Sequence, residues 1–121
     1  MSVFSRNPEV DTCKKLKTLG WDTYTYTKCI ENNPTSYSFT CLPTPPGKEA
    51  YPAPDAFEFG EVLPHRIGKY QLTIIKEMSF WMAGYRDETT GEWLIDYDNR
   101  SIAQAMAELW FYVKENKLIV R

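Results

Sequence analysis

Residues 101–116 read SIAQAMAELWFYVKEN, and this stretch decides the fold. Ser101 followed by Gln104 has the spacing of a capping box, in which the hydroxyl bonds the backbone N–H three residues on and the amide side chain reaches back. Ile102, Met106, Leu109 and Val113 then fall within an arc of about 60° at 100° per residue, with Ala103, Ala105 and Trp110 widening the stripe. Gln104, Glu108 and Glu115 lie opposite, and Lys114 and Lys117 place positive charge where it suits the helix dipole. The spacing therefore predicts an amphipathic helix with one broad apolar face. Phe111 breaks the pattern by falling beside the polar residues. Either a second element covers it, or it is exposed and marks a contact surface, as isolated surface aromatics often do.

Such a helix needs a sheet, and the residues before it supply one. Lys69 to Lys76 alternates with Tyr70, Leu72 and Ile74 on one side. Ser79 to Arg86 sets Phe80 and Met82 against Trp81, Ala83 and Tyr85, and Glu92 to Tyr97 returns with Trp93, Ile95 and Tyr97 after a loop ending in Gly91. Alternation of this kind predicts an antiparallel meander running into the helix. Ahead of it, Asp55 and Glu58 have capping-box spacing, Ala56, Phe59, Gly60 and Leu63 make a short helical stripe, and Pro64 stops it. Leu118 to Val120 is a candidate edge strand.

The first third reads as a second layer. Asn7 as N-cap and Pro8 as first helical residue open a surface helix over Glu9 to Leu19, ended by Gly20. Trp21 to Ile30 and Ser36 to Leu42 then alternate around the Glu31–Pro34 turn. Tyr24 and Tyr26, and Tyr37, Phe39 and Cys41, form an aromatic face expected to lie on the core, because a lone hairpin is not stable. Residues 43–54, PTPPGKEAYPAP, carry five prolines, which exclude helix and sheet interior and predict a loop or spacer. The expected architecture is one α+β domain over 1–121: a helix and hairpin layer in 1–42, a Pro-rich loop in 43–54, and a helix–meander–helix core in 55–121, with the C-terminal helix packed across an antiparallel sheet.

A length of 121 residues supports one real core without staples. The net charge of −2 argues against a general nucleic-acid or membrane-surface binder. Charge is uneven: residues 1–48 hold six basic side chains against four acidic ones, leaving eight against twelve in the remainder. No signal peptide and no run long enough to span a membrane is expected, and three unpaired-looking cysteines fit a reducing cytoplasm.

The chemistry-bearing residues are sparse. Cys13, Cys29, Cys41 and His65 are too widely spaced for a structural zinc site, and Asp96-Tyr97-Asp98 lacks the ligands and glycine of a calcium loop and reads as a polar turn. Any nucleophile–base scheme must use His65, which sits in a connection after a helix and reads as a solvent-exposed loop residue. The glycines are isolated, so no phosphate loop exists. No catalytic residue, cofactor or metal is expected. One nucleic-acid reading stands as an alternative: Tyr24 and Tyr26 as stacking platforms within a rim formed by Lys14, Lys15, Lys17 and Lys28 would bind single strands.

Residues 55–121 also carry a pattern of positions: Leu63-Pro64, Ile67, the strand residues Tyr70, Leu72 and Ile74, Trp81 with Tyr85, and Ser101-Ile102 with Ala105. In these the chain resembles small uncharacterised proteins of phages, prophages and related mobile elements. The resemblance implies a cytoplasmic accessory protein acting by protein–protein contact, with inhibition of a host factor as one form. Phe111, Tyr112, Trp81 and Tyr51 are the candidate contact residues, the partner being a host protein or a second copy in a homodimer.

Overall fold

A computed structural model describes residues 6–118. The elements run α1 (Val10–Thr18), β1 (Lys28–Asn33), β2 (Ser36–Thr40), β3 (Glu49–Pro52), α2 (Ala56–Val62), β4 (Arg66–Ile67), β5 (Tyr70–Lys76), β6 (Trp81–Arg86), β7 (Trp93–Asn99) and α3 (Ile102–Glu115). The fold is α+β, with two antiparallel sheets of order β2-β1-β3 and β4-β5-β6-β7. The expected meander is present, and α3 packs across β6 and β7.

Register explains which face α3 takes. Leu72, Tyr85 and Ile95 stand opposite one another in one row, and Ile74, Ala83 and Tyr97 in the next. Most of these pack with Met106, Leu109 and Val113 of α3 and with Phe59 of α2 into the main core. Tyr85 is fully buried, and its hydroxyl donates to the Pro64 carbonyl at 2.7 Å, tying the sheet to the chain that follows α2. Burial alone pushes that phenol far above its usual range. The opposite face carries the rows Gln71–Arg86–Trp93, Thr73–Gly84–Asp96 and Ile75–Met82–Asp98. Asp96 and Asp98 are thus strand residues of β7 and not part of a turn. The register shifts between Tyr85 and Arg86, with Leu94 as the extra residue.

The first sheet forms differently from expectation. Only Lys28 to Ile30 of the first alternating run is strand, β1 continues to Asn33 through most of the expected Glu31–Pro34 turn, and Trp21 to Thr27 is irregular. The Tyr26 N–H donates to the Glu58 carboxylate at 2.8 Å instead of to a neighbouring strand. Alternation alone could not show that no strand lies beside Tyr24 and Tyr26. The third strand comes from the Pro-rich stretch. Residues 49–52 pair with β1 as an edge strand, where Pro52 costs little because the outer side of an edge needs no N–H donor. Residues 43–48 and 53–54 are left as loop. Of the candidate C-terminal strand, Leu118 is not in a strand and residues 119 and 120 lie outside the described residues.

Helix α1 locks the two sheets' layers together. It starts at Val10, with Glu9 at the N-cap position and no side-chain cap. Asn7 does not cap it but donates to the Ala53 carbonyl at 2.9 Å. Cys13 of α1 meets Cys29 and Ala53 in a small second core. On its other side α1 covers the face of α3 that looked polar. Gln104 is 6% exposed, and its amide donates to the Thr12 hydroxyl at 2.8 Å while its carbonyl oxygen accepts from the Glu9 N–H at 3.0 Å. The Ser101 hydroxyl accepts from the Gln104 N–H as expected. The return half of the capping box is not made, because the Gln104 side chain serves α1. The complete capping box is in α2, where Asp55 and Glu58 exchange both bonds.

Glu108 lies on the same covered face. Burial raises its carboxyl pKa, a hydrogen bond from the Gln104 side chain lowers it, and Glu9 adds to the rise. A carboxyl whose pKa is raised on folding binds its proton more tightly folded than unfolded, so its stability contribution falls as pH rises from the ordinary carboxylate range through the raised value. Glu108→Gln removes that penalty. The variant is expected to melt higher than the parent at neutral pH, with the difference vanishing in acid below the ordinary range; calorimetric scans over a pH series check both the sign and the window.

Candidate functional site

The four residues proposed as contacts from sequence are not brought together. Phe111 is 8% exposed; it packs edge-on against Trp110 at 5.8 Å, and the Lys15 ammonium of α1 sits 4.3 Å over its ring. A second element covers it, so it is no surface anchor. Tyr51 is half-buried in β3. Its hydroxyl donates to Glu31 at 3.0 Å, and its ring lies under Lys14 and Lys17 at 5.8 and 5.2 Å. Tyr112 packs at the margin of the main core. Trp81 is half-buried at the start of β6 with Lys76 at 5.2 Å over its ring. No ring contact among the described residues joins two of the four.

The exposed aromatic surface lies elsewhere. Tyr24 is 78%, Tyr26 62%, Phe57 74% and Leu42 66% exposed. Tyr26 is the centre that relates them. Its backbone N–H is held by Glu58, next in the chain to Phe57. Its phenol lies beside Cys41, next to Leu42, and the thiol is the main cause of its raised pKa, with Tyr24 a further contributor and Arg6 opposing. Because the Glu58 carboxylate also accepts from Asp55 N–H within the capping box, helix α2 and the 21–27 segment share one anchor. The start of α2 therefore fixes the backbone at Tyr26. The sequence carried a signal for Phe57, which falls off the Ala56, Phe59, Gly60, Leu63 stripe. For the tyrosines the only pointer was the alternative reading of Tyr24 and Tyr26 as stacking platforms.

The lysines of the proposed basic rim are otherwise engaged. Lys14 donates to the Tyr37 hydroxyl at 2.6 Å, Lys17 pairs with Glu49, Lys15 lies 3.9 Å from Glu115, and Lys28 donates to the Leu42 carbonyl at 3.2 Å. Tyr24 and Tyr26 are exposed, but the cations meant to flank them bind within the fold.

Of the nucleophile candidates, Cys13 and Cys29 are fully buried. Desolvation pushes the Cys13 thiol up to about 12, with Cys29 adding to the rise, and burial also raises Cys29. Both thiols are protonated at neutral pH and serve as apolar packing. His65 is an exposed loop residue whose carbonyl accepts from the Leu72 N–H at 3.0 Å. Among the described residues no group of three or more His, Cys, Asp or Glu is placed to hold a metal ion, and no helix is long and apolar enough to cross a membrane.

One cleft of about 430 Å³ opens between the ends of α1 and α3 and the last residue of α2, Val62. Trp21 and Trp110 form its aromatic wall, their rings edge-to-face at 5.4 Å and 61°. Asp22, Lys114 and Lys117 supply its charge.

Fold and site define a small α+β protein with a helix-covered meander, a second sheet held by α1, and an exposed aromatic surface around Tyr26. No family model matches the chain, and neither a curated protein nor a solved structure matches it.

Proposed function

We propose that this chain is a non-enzymatic binding protein that works by contact with another protein, through the surface formed by Tyr24, Tyr26, Leu42 and Phe57. The observation that carries the reading is the exposure of these four large side chains, between 62% and 78%, around one hydrogen-bonded anchor. Exposed aromatic groups on a rigid frame lose little conformational entropy on binding and commonly anchor interfaces. The resemblance of residues 55–121 to phage and mobile-element proteins supplies the context of an accessory protein, and modulation of a host factor is the role that fits a small chain of this kind. A single-stranded nucleic acid is the second reading. The exposure of Tyr24 and Tyr26 favours it; the internal engagement of Lys14, Lys15, Lys17 and Lys28 opposes it, because phosphate contacts dominate such binding.

Affinity capture from lysate, with nuclease present, tests the reading against a Tyr26→Ser, Phe57→Ser double variant and a Trp81→Ala variant, all with unchanged circular dichroism. A discrete protein retained after nuclease, lost with the double variant and kept with Trp81→Ala, is expected. Should sedimentation show a dimer that the double variant dissolves, the protein partner is a second copy. Recovery of nucleic acid alone, or a partner indifferent to Tyr26 and Phe57, contradicts the proposal.

A further inference from the structure

We infer that the cleft between the ends of α1 and α3 is a binding site for a small planar aromatic acid, separate from the Tyr26 surface. Two observations point there. The first is the chemistry of the lining. A volume of about 430 Å³ lies within the range of small-molecule sites. The Trp21 ring is fixed: its indole N–H donates to the Thr23 carbonyl at 2.8 Å, and its edge-to-face neighbours are Phe59 at 5.2 Å and Trp110. A fixed indole wall suits a flat ring. Lys114 and Lys117 line the same cleft, and among the described residues neither has a carboxylate within ion-pair distance. A carboxylate on the ligand would complete them.

The second observation concerns the backbone. Helices α1 and α3 end in the same hydrogen-bonded motif, and both ends line the cleft. At α1 the Gly20 N–H donates to the Lys17 carbonyl and the Trp21 N–H to the Leu16 carbonyl; at α3 the Lys117 N–H donates to the Lys114 carbonyl and the Leu118 N–H to the Val113 carbonyl. The motif requires a left-handed residue after the cap, for which glycine is favoured. Helix α1 has Gly20 there, with φ 91°, whereas α3 has Lys117 with φ 56°. A lysine at that position costs stability, and a strained residue whose side chain faces a cleft points to a use for that side chain. Two helix C-termini and Asp22 oppose an anion here, so its binding rests on Lys114 and Lys117 together with the indole wall.

The probe is indole-3-acetate, with neutral indole-3-acetamide as its isosteric control, followed by amide and indole N–H chemical shifts. The acetate is expected to give saturable shifts at the Trp21 and Trp110 indoles and at Lys117, with the acetamide binding about tenfold more weakly, the factor that one charge-assisted contact supplies. Lys117→Gly should raise the melting temperature by about 4 °C and weaken the acetate about fivefold or more. The exposed Lys114→Gln should weaken it with no gain in melting temperature. Shifts that do not saturate, shifts away from the cleft, equal binding of acetate and acetamide, or a Lys117→Gly variant that binds as the parent does would each overturn the inference.

Discussion

Gly84→Ala is expected to lower the stability of the protein by about 3 kcal/mol or more, the range of changes that force the backbone to move. Gly84 is buried in β6, paired with Thr73 on one side and Asp96 on the other. A Cβ built there would stand 2.1 Å from the Ile95 carbonyl oxygen and 2.8 Å from the Asp96 Cα. These are backbone atoms of β7, next to the extra residue Leu94, and no rotamer change relieves them. The strand would have to part from its neighbour, and that neighbour leads straight into α3. Thermal melts should show a fall of about 10 °C. The contrast is Gly60→Ala, in the interior of α2, where the nearest atom to a new Cβ is Met106 Cε at 4.0 Å. With room available, alanine should stabilise the helix by about 0.5–1 kcal/mol. Equal effects at the two glycines would contradict the strand packing described.

The second large effect is expected at Gln104. Its side chain satisfies the Thr12 hydroxyl and the Glu9 N–H inside the α1–α3 interface. Gln104→Ala leaves both without that partner and opens a void, at a cost of about 2–3 kcal/mol. The loss should be local before it is global, since the start of α1 then keeps only the Cys13–Cys29 core nearby, while Leu16 at its far end stays in the main core. Hydrogen exchange is therefore expected to quicken across Val10–Thr18 at lower denaturant than across β5 to β7. Glu108→Gln in the Gln104→Ala background tests coupling: the two share a hydrogen bond, and their effects should not add. If α1 keeps its protection in Gln104→Ala, the amide is not its main tether.

How far the sequence could be read follows from which signals are local. The α3 helix, the α2 cap and the β5–β7 meander were legible because their periodicity and capping reside within each segment. Gln104 and Phe111 show the limit: both sit on the polar side of α3 by arithmetic, and only the arrival of α1, some 90 residues earlier in the chain, explains their burial. Tyr24 and Tyr26 show the converse. Their alternation with threonine is a good strand pattern, yet a strand needs a partner, and the N–H of Tyr26 found Glu58. The 49–52 strand was hidden because proline content argues against sheet unless the strand is known to be an edge. Two of the candidate contact residues take part in packing of the same non-local kind. The fold has two cores, and Phe111 and Tyr51 pack at them with cations from α1 over their rings. Lys117 illustrates a feature no periodicity shows, since a left-handed residue at a helix end is visible only in the backbone.

The most direct measurement for the binding proposal is site-specific photocrosslinking, with a benzophenone side chain installed at Phe57, at Tyr24, or at Ile75 on the far face of the second sheet. Each variant is irradiated in nuclease-treated lysate. Discrete protein adducts from positions 57 and 24, and none from 75, are the result expected of a contact surface centred on Tyr26. Adducts from position 75 alone, or a nucleic-acid adduct as the main product at 24, would contradict it.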